Sequence, residues 1–380
     1  MGQQLAYKKV GLRPDTSLDK DQNYQANQAG LPRKPASKGI RRILLKWFRL
    51  TDEPRVKLYN GYGHLKQLHV FGQALSLSPL PRKTYRKNNW TNIYALFRSF
   101  MVKTIPFALL KISWKGSWVY TRAEDDGFFR FDLEPKDEQE PGWQEVEVYL
   151  VATEEDEEAI AKGTGLIYYP PENRFGCISD IDDTFLVSHS NHLFKRIYVL
   201  LTRNAHSRKP FEGVVEHYQI LSKAGSSPEN PNPFFYVSSS EWNLYDFIVE
   251  FARKNGMPPG IYLLNQLKKF SQLLQTGQGK HSGKFTRIVR IMEAFPDMRF
   301  ILLGDSSQQD PYIYASIAEH FPQQVHAVYI RDVYKKNREE VQKILTRMEL
   351  AGIPCFFFTH SRDAILHSQK IGLIPGGNKQ

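Results

Sequence analysis

Between residues 175 and 360 the chain repeats one pattern: a short apolar run that ends on a polar residue, followed by a helical stretch. FGCIS runs into Asp180, PFFYV into Ser238, MRFILLG into Asp305, VHAVYI into Arg331 and PCFFFT into His360. Short runs that are apolar throughout read as strands buried on both faces. The stretches between them, such as NLYDFIVEFARKNG, FTRIVRIMEAFP and YIYASIAEHF, carry apolar residues at helical spacing. Such alternation predicts an α/β fold, a parallel sheet covered by helices on both faces. Ligands of these sheets bind beyond the carboxyl ends of the strands. The polar residues that end the runs all belong to that edge.

The part before this pattern differs. Residues 1–38 are polar, rich in Gln, Asn, Lys, Pro and Gly, and read as a disordered tail. Residues 39–55 read as a basic amphipathic helix, with Ile40, Ile43, Leu44, Trp47 and Phe48 on one side and Arg41, Arg42, Lys46 and Arg49 between them. Such a helix either packs on the domain behind it or lies on a membrane surface. Residues 56–165 alternate in the manner of strands, with aromatic and β-branched residues and Gly-bearing turns, and predict a small β-sandwich-like domain. The acidic run at 154–158 is a connector or a helix start. Residues 166–375 form the α/β domain.

No run approaches the roughly 18 apolar residues that span a bilayer, and no apolar stretch follows the first residues, so neither a transmembrane segment nor a secretory signal is expected. The two cysteines, Cys177 and Cys355, lie in apolar runs and are expected buried and reduced, in keeping with a cytoplasmic protein. The net charge of +11 calls for an acidic partner: an anionic lipid, a phosphorylated small molecule or nucleic acid. Nucleic acid is the weakest of these, because the charge is diffuse and no recognition motif appears.

The chemistry concentrates at the strand ends. Asp180-Ile181-Asp182-Asp183-Thr184 follows an apolar strand. Two carboxylates one residue apart can divide the work of phosphoryl transfer. Asp180 can attack phosphorus, and Asp182 can protonate the leaving alkoxide and then activate water. A carboxylate that attacks an anionic phosphate needs a cation to offset the repulsion, and Mg2+ held by oxygen ligands meets that need. Ser238 closes a second strand and can bind a phosphoryl oxygen through its hydroxyl. Lys284, at the start of a helix, can neutralise phosphate and nucleophile together, with Lys280 as a competing candidate. Asp305 follows a strand and a glycine and can complete a metal site with Asp180 and the backbone carbonyl of Asp182. Asp310 is either a further metal ligand or the N-cap of the helix that opens with Pro311.

The order Asp-x-Asp-x-Thr, strand-Ser, Lys and Gly-Asp-x-x-x-x-Asp resembles the four motifs of the haloacid-dehalogenase-like superfamily. The wording around them is closer to one family. SDIDDTF, FFYVSSSEWNLYDF, FPDMRFILLGDSSQQDPYIYASI, VYIRDV and GIPCFFFTHSRDAILHSQKIGLI resemble the actin-patch phosphatidate phosphatase family and its bacterial relatives, as do VKLYNGYG, VFGQAL, EDDGFFRF and GWQEVEVYL before them. The resemblance covers residues 56–375. It implies a Rossmann-like parallel sheet with a helical cap insertion, Asp180 as nucleophile and Asp182 as acid/base. It also implies Thr184, Ser238 and Lys284 on phosphate, a Mg2+ site that includes Asp305, and magnesium-dependent removal of phosphate from phosphatidate. The long C-terminal extension of the fungal member has no counterpart here, so no actin role is expected.

In such a superfamily member the segment between Thr184 and Pro231 would be the cap. It is basic and aromatic, with His189, His192, Lys195, Arg196, Arg203 and Arg208, and suits an anionic phospholipid at a membrane surface. A packed helical pair with a solvated basic face explains it equally well. Trp242, just past Ser238, lines the substrate pocket or belongs to the core. Arg331 touches phosphate or pairs with neighbouring acids. Three readings follow: a lipid phosphate phosphatase, a phosphatase for a soluble monoester, and a non-catalytic membrane-binding module. The five intact residues Asp180, Asp182, Ser238, Lys284 and Asp305 weigh against the last.

Overall fold

The computed structural model describes residues 45, 47, 48, 50–63, 67–79, 98, 101–135, 140–169, 175–181, 212–227, 230–265, 280–307 and 309–375. The chain divides into two units, Met1–Pro35 and Ala36–Gln380, and every described residue belongs to the second. The tail expected at 1–38 therefore lies outside the described residues. So do Asp182, Thr184 and the side chains of the basic segment from His189 to Arg208.

The first part of the fold consists of strands β1 (Leu50–Thr51), β2 (Arg55–Leu58), β3 (Gly61–Gly63), β4 (Leu68–Pro79), β5 (Lys103–Thr104), β6 (Leu109–Trp114), β7 (Ser117–Arg122), β8 (Phe128–Leu133), β9 (Gly142–Val151) and β10 (Ala161–Tyr169). The long β4 organises them, pairing with β1, β2, β3, β5 and β8. Hydrogen bonding joins the ten into one sheet, in which β3 leads to β10, then β9, β6 and β7. The ladders join all ten strands in one hydrogen-bonded network, and β2 also packs on β10, with which it forms no ladder. Gly163 and Gly165 let β2 lie directly on β10. A Cβ at Gly163 would come 2.4 Å from the Val56 carbonyl oxygen, and one at Gly165 would come 2.5 Å from the Leu58 Cβ. Alternation supplies the core of this part: Leu68, Val70, Leu110, Ile112, Phe129 and Val148 point inward.

Two boundaries shift. Leu45, Trp47 and Phe48 are helical, but Leu50 and Thr51 already pair with Pro79 and Ser78, so the helix does not reach residue 55. Thr51 is β-branched and Pro54 has no N–H to continue a helix, which favours the strand. At the other end β10 runs through Tyr169 and not to 165, because Ile167, Tyr168 and Tyr169 are all buried. The acidic run at 154–158 is neither helix nor domain connector; it is the turn of the β9–β10 hairpin, where Lys111 Nζ donates to the Asp156 carbonyl at 2.8 Å.

The second part alternates as the sequence pattern predicts. It contains β11 (Phe175–Asp180), α1 (Val214–Ser222), β12 (Phe234–Glu241), α2 (Tyr245–Lys254), β13 (Gly260–Asn265), α3 (Lys280–Ala294), β14 (Arg299–Asp305), α4 (Asp310–His320), β15 (Val325–Arg331), α5 (Arg338–Leu350), β16 (Cys355–Phe358) and α6 (Ser361–Lys370). The strands form a parallel sheet in the order β13-β12-β11-β14-β15-β16. This is the expected α/β class. From β11 the chain winds outward through β12 and β13, then returns to the other side of β11 for β14, β15 and β16. The direction of winding reverses between β11 and β14, and that reversal opens a crevice at their carboxyl ends.

Helix α1 is a crossover helix and not part of a cap. Val214, Tyr218 and Leu221 are buried in the α/β core, and the part of the expected cap before residue 212 lies outside the described residues. The same core takes in Tyr59, Tyr62, Phe71 and Tyr168 from the β-rich part. Cys177 and Cys355 are both buried free thiols, and burial pushes the Cys355 thiol up to about 12.

A carboxylate and lysine cluster at the strand switch point

Asp180 is the last residue of β11 and Asp305 the last of β14. These two strands pair in register, with Ser179 opposite Leu303, so their last side chains flank the crevice. Asp310 opens α4 and joins them. One oxygen from each of Asp180, Asp305 and Asp310 lies within 4.8 Å of the others, and all three residues are buried. Among the described residues this trio is the group of acids and histidines able to hold a metal ion. Its donors are carboxylate oxygens, the ligand type of a hard divalent cation.

Asp310 does not cap its helix. Gln309 occupies the cap position, and no side-chain hydrogen bond closes it. The Asp310 carboxylate instead turns to Lys284, and its Oδ2 accepts the Asp305 N–H at 3.3 Å. Gly304 makes this possible: a Cβ there would sit 2.6 Å from Asp310 Oδ2 and 2.8 Å from its Cβ. Asp305 Oδ1 in turn accepts the Ser307 N–H at 2.6 Å.

Lys284 lies in the first turns of α3, buried, with Nζ 2.8 Å from Asp180 Oδ1 and also bonded to Asp310. Burial by itself pulls its pKa down, but the Asp180 and Asp310 carboxylates outweigh burial and hold the amine charged well above its ordinary range. The lysine thus touches the proposed nucleophile directly. Lys280 begins the same helix, one turn earlier.

Ser238 follows Val237, the partner of Asp180 in the β11–β12 ladder. It is fully buried, and its Oγ accepts the Ser240 N–H at 2.9 Å. Arg287 donates to the Ser238 carbonyl at 3.1 Å. Sequence reasoning missed Arg287, although it stands three residues after Lys284 and so on the same helix face. It also missed Ser306, whose Oγ accepts the N–H groups of Val333 and Tyr334 at 3.0 Å each and ties the end of β14 to the end of β15.

Arg331 lies opposite Asp305 in the β14–β15 ladder. It is buried, bonds to the Thr359 carbonyl at 2.9 Å and Ser361 Oγ at 2.5 Å, and stacks over Phe358. Burial lowers its pKa, and Tyr218 and Asp305 partly restore it. Trp242 belongs to the core: it is 3% exposed, stacked against Tyr59 at 4.2 Å and against Phe128 at 5.6 Å. The aromatic character of β2–β4 outweighs the nearness of Ser238 in sequence. Asp182 and Thr184 complete the first motif outside the described residues.

The cluster lies inside a segment that matches a family model. A sequence model described as the catalytic domain of the phosphatidate phosphatase APP1 matches residues 175–332, from the start of β11 to just past β15. That segment belongs to the APP1 catalytic-domain family. The chain is 28% identical over 192 residues to the phosphatidate phosphatase APP1 of Saccharomyces cerevisiae, an alignment that takes in 47% of this chain and 30% of the yeast protein. It is 24% identical over 191 residues to an uncharacterized protein of Schizosaccharomyces pombe, with 50% of this chain and 30% of that protein covered. The chain therefore spans under a third of the length of these relatives. A carbohydrate acetylesterase from Xanthomonas citri aligns at 10% identity over 73% of this chain and 68% of its own, with a TM-score of 0.26, too low to carry an argument. No helix among the described residues is long and apolar enough to cross a membrane.

Proposed function

We propose that this chain is a magnesium-dependent phosphatase that acts on phosphatidate or a closely related lipid phosphate monoester. The observation that carries the reading is the buried cluster of Asp180, Asp305, Asp310 and Lys284 at the switch point, inside the segment that matches the catalytic domain of a phosphatidate phosphatase. Three carboxylates against two cations, Lys284 and Arg331, still leave an excess of negative charge in a buried site, which is the condition a divalent cation relieves. Asp180, Asp305 and Asp310 would hold Mg2+, which when bound offsets the charge of the phosphate facing the nucleophile.

The residues then divide the reaction. An Asp180 carboxylate oxygen attacks phosphorus, and the bond to the ester oxygen breaks. Asp182 gives its proton to the leaving alkoxide, which departs as diacylglycerol. Asp182, now a carboxylate, takes a proton from water, and that water cleaves the aspartyl-phosphate to release phosphate and regenerate Asp180. Lys284 neutralises charge at Asp180 and on the phosphoryl oxygens. Ser238, with Thr184, orients those oxygens by hydrogen bonding. The net charge of +11 and Trp47, 71% exposed on the helical segment that precedes β1, support work at an anionic membrane surface from the cytoplasmic side.

The test is phosphate release from phosphatidate in mixed micelles, with and without magnesium, beside a panel of soluble monoesters. Release from phosphatidate far above the soluble esters, abolished by chelation and by Asp180→Asn, is expected. Turnover of soluble esters alone would keep the chemistry and overturn the lipid substrate. No release from any ester would overturn the enzyme reading.

A further inference from the structure

Ser238 stands where β12 leaves its ladder. Val237 pairs with Leu263 of β13, but the next partners are Glu241 and Asn265, so the register shifts across Ser238, Ser239 and Ser240. A bulge of this kind re-aims side chains and does not hold them by ladder hydrogen bonds. Within the bulge the Ser238 Oγ accepts the Ser240 N–H at 2.9 Å, so the hydroxyl moves with the bulge, and what holds the two ends of the bulge sets where it sits. Arg287 holds the Ser238 carbonyl from α3. The first side chain beyond the strand is Trp242, and it is packed between two rings of the β-rich part.

Tyr59 stacks on Trp242 with centroids 4.2 Å apart and planes 20° apart, and Phe128 of β8 faces it at 5.6 Å and 25°. Tyr59 is itself anchored, with its hydroxyl donating to Gln73 Oε1 of β4 at 2.8 Å. The contact continues beyond the rings. The Asn60 N–H donates to Tyr245 Oη at 3.1 Å, and Lys57 pairs with Asp246 at 2.8 Å. Lys57 of β2, Tyr59 and Asn60 of the turn after it, and Phe128 of β8 thus grip Trp242 and the start of α2.

We propose that the β-rich part is a positioning element for phosphate binding: the Tyr59–Trp242–Phe128 stack fixes the end of the β12 bulge and so aims Ser238 at the Asp180–Lys284 pair. Trp242 is the positioning residue, and it acts through Ser238. The inference rests on the reading of the Asp180 cluster as a phosphate-ester site. It assigns the β-rich part a role in ground-state and transition-state binding of the phosphoryl group, where a displacement of about 1 Å is enough to cost roughly a hundredfold in rate.

The experiment measures inorganic phosphate affinity by calorimetry in the presence of magnesium, together with kcat and KM for p-nitrophenyl phosphate. It uses the full chain and the variants Tyr59→Leu, Trp242→Leu, Trp242→Phe and Phe128→Leu. Val148→Ala, which opens a cavity in the β-rich core away from the stack, controls for lost stability. Tyr59→Leu and Trp242→Leu are expected to weaken phosphate binding about tenfold or more, Trp242→Phe to stay near wild type, and Val148→Ala to leave affinity unchanged. In a Ser238→Ala background the Tyr59→Leu effect on affinity should vanish, since residues that act through one another are not additive. Unchanged affinity in folded Tyr59→Leu, or full additivity with Ser238→Ala, overturns the proposal. Equal losses in Val148→Ala overturn it too. If Tyr59→Leu and Trp242→Leu do not fold, half-buried Phe128 gives the milder probe, and unchanged affinity in Phe128→Leu overturns it likewise. Wild-type protein that neither binds phosphate nor hydrolyses an ester overturns the phosphatase reading and this inference together. Wild-type binding with indifferent variants overturns this inference alone.

Discussion

Asp305→Asn separates the site's function from its stability by sign. Asp180, Asp305 and Asp310 place carboxylate oxygens within 4.8 Å of one another, and at an effective dielectric near 20 each pair of unit charges at that distance repels by about 3 kcal/mol. Removing the Asp305 charge relieves repulsion against both neighbours, while its attraction to Arg331, opposite it in the ladder, is lost. Asparagine keeps the oxygen that accepts the Ser307 N–H, and burying its amide costs about 1–3 kcal/mol if no acceptor faces it. Two relieved repulsions, about 6 kcal/mol, less one lost attraction of about 3 and an amide cost of about 1–3, leave a metal-free variant at least as stable as wild type, by about 0–2 kcal/mol. Magnesium reverses the order. An ion present at a hundredfold excess over its dissociation constant stabilises wild type by about 2.7 kcal/mol, and the variant, short of one ligand, gains little. Urea unfolding in chelator and in magnesium measures both arms. A variant more than about 1 kcal/mol less stable in chelator, or one that gains as much from magnesium as wild type, would refute the charge argument.

Four further outcomes are expected. Asp180→Asn should leave circular dichroism unchanged and remove turnover, and residual turnover near wild type would exclude an aspartyl-phosphate. Arg287→Met should weaken phosphate binding, because the Ser238 carbonyl loses its anchor on α3; calorimetry decides it. His217 is buried in α1, and burial, with Arg331 and His367 adding, pushes its pKa down to about 3. The unfolded imidazole titrates near 6.5 and takes up its proton first, so stability present above about pH 6.5 is lost as pH falls towards 3, by about 2 kcal/mol between pH 7.5 and 5. His217→Gln should flatten that loss in urea midpoints measured across the range, and parallel curves would sink the assignment. Removal of residues 1–48, which ends before β1, should weaken binding to anionic vesicles and spare turnover of a small soluble ester; unchanged vesicle binding would deny the segment a membrane role.

Much of the site was legible in the sequence because strand ends announce themselves. A buried strand is a short apolar run, and the polar residue that ends it at the carboxyl edge has a reason to be there; Asp180, Ser238, Asp305 and Arg331 were all found in this way. Asp310 was ambiguous because an Asp before Pro is equally a helix cap and a ligand. Only Gly304, by admitting the carboxylate against the backbone of β14, and Lys284, by offering it a cation, turn it inward. Arg287 was hidden among many arginines, since its partner is a backbone carbonyl that no sequence motif marks.

By itself the sequence determined the α/β alternation, the order of the strand-end residues and the burial of both cysteines. These follow from local periodicity, which one chain segment carries alone. Tertiary structure decided what depends on partners distant along the chain. β2 packs on β10 where Gly163 and Gly165 leave it room, and α1 joins the core and not a cap. Trp242 packs against Tyr59, which precedes it by more than a hundred residues. An aromatic ring just past a strand end has the same local signature in a pocket wall and in a packed core. Only the surface brought against it distinguishes a pocket wall from a domain clamp.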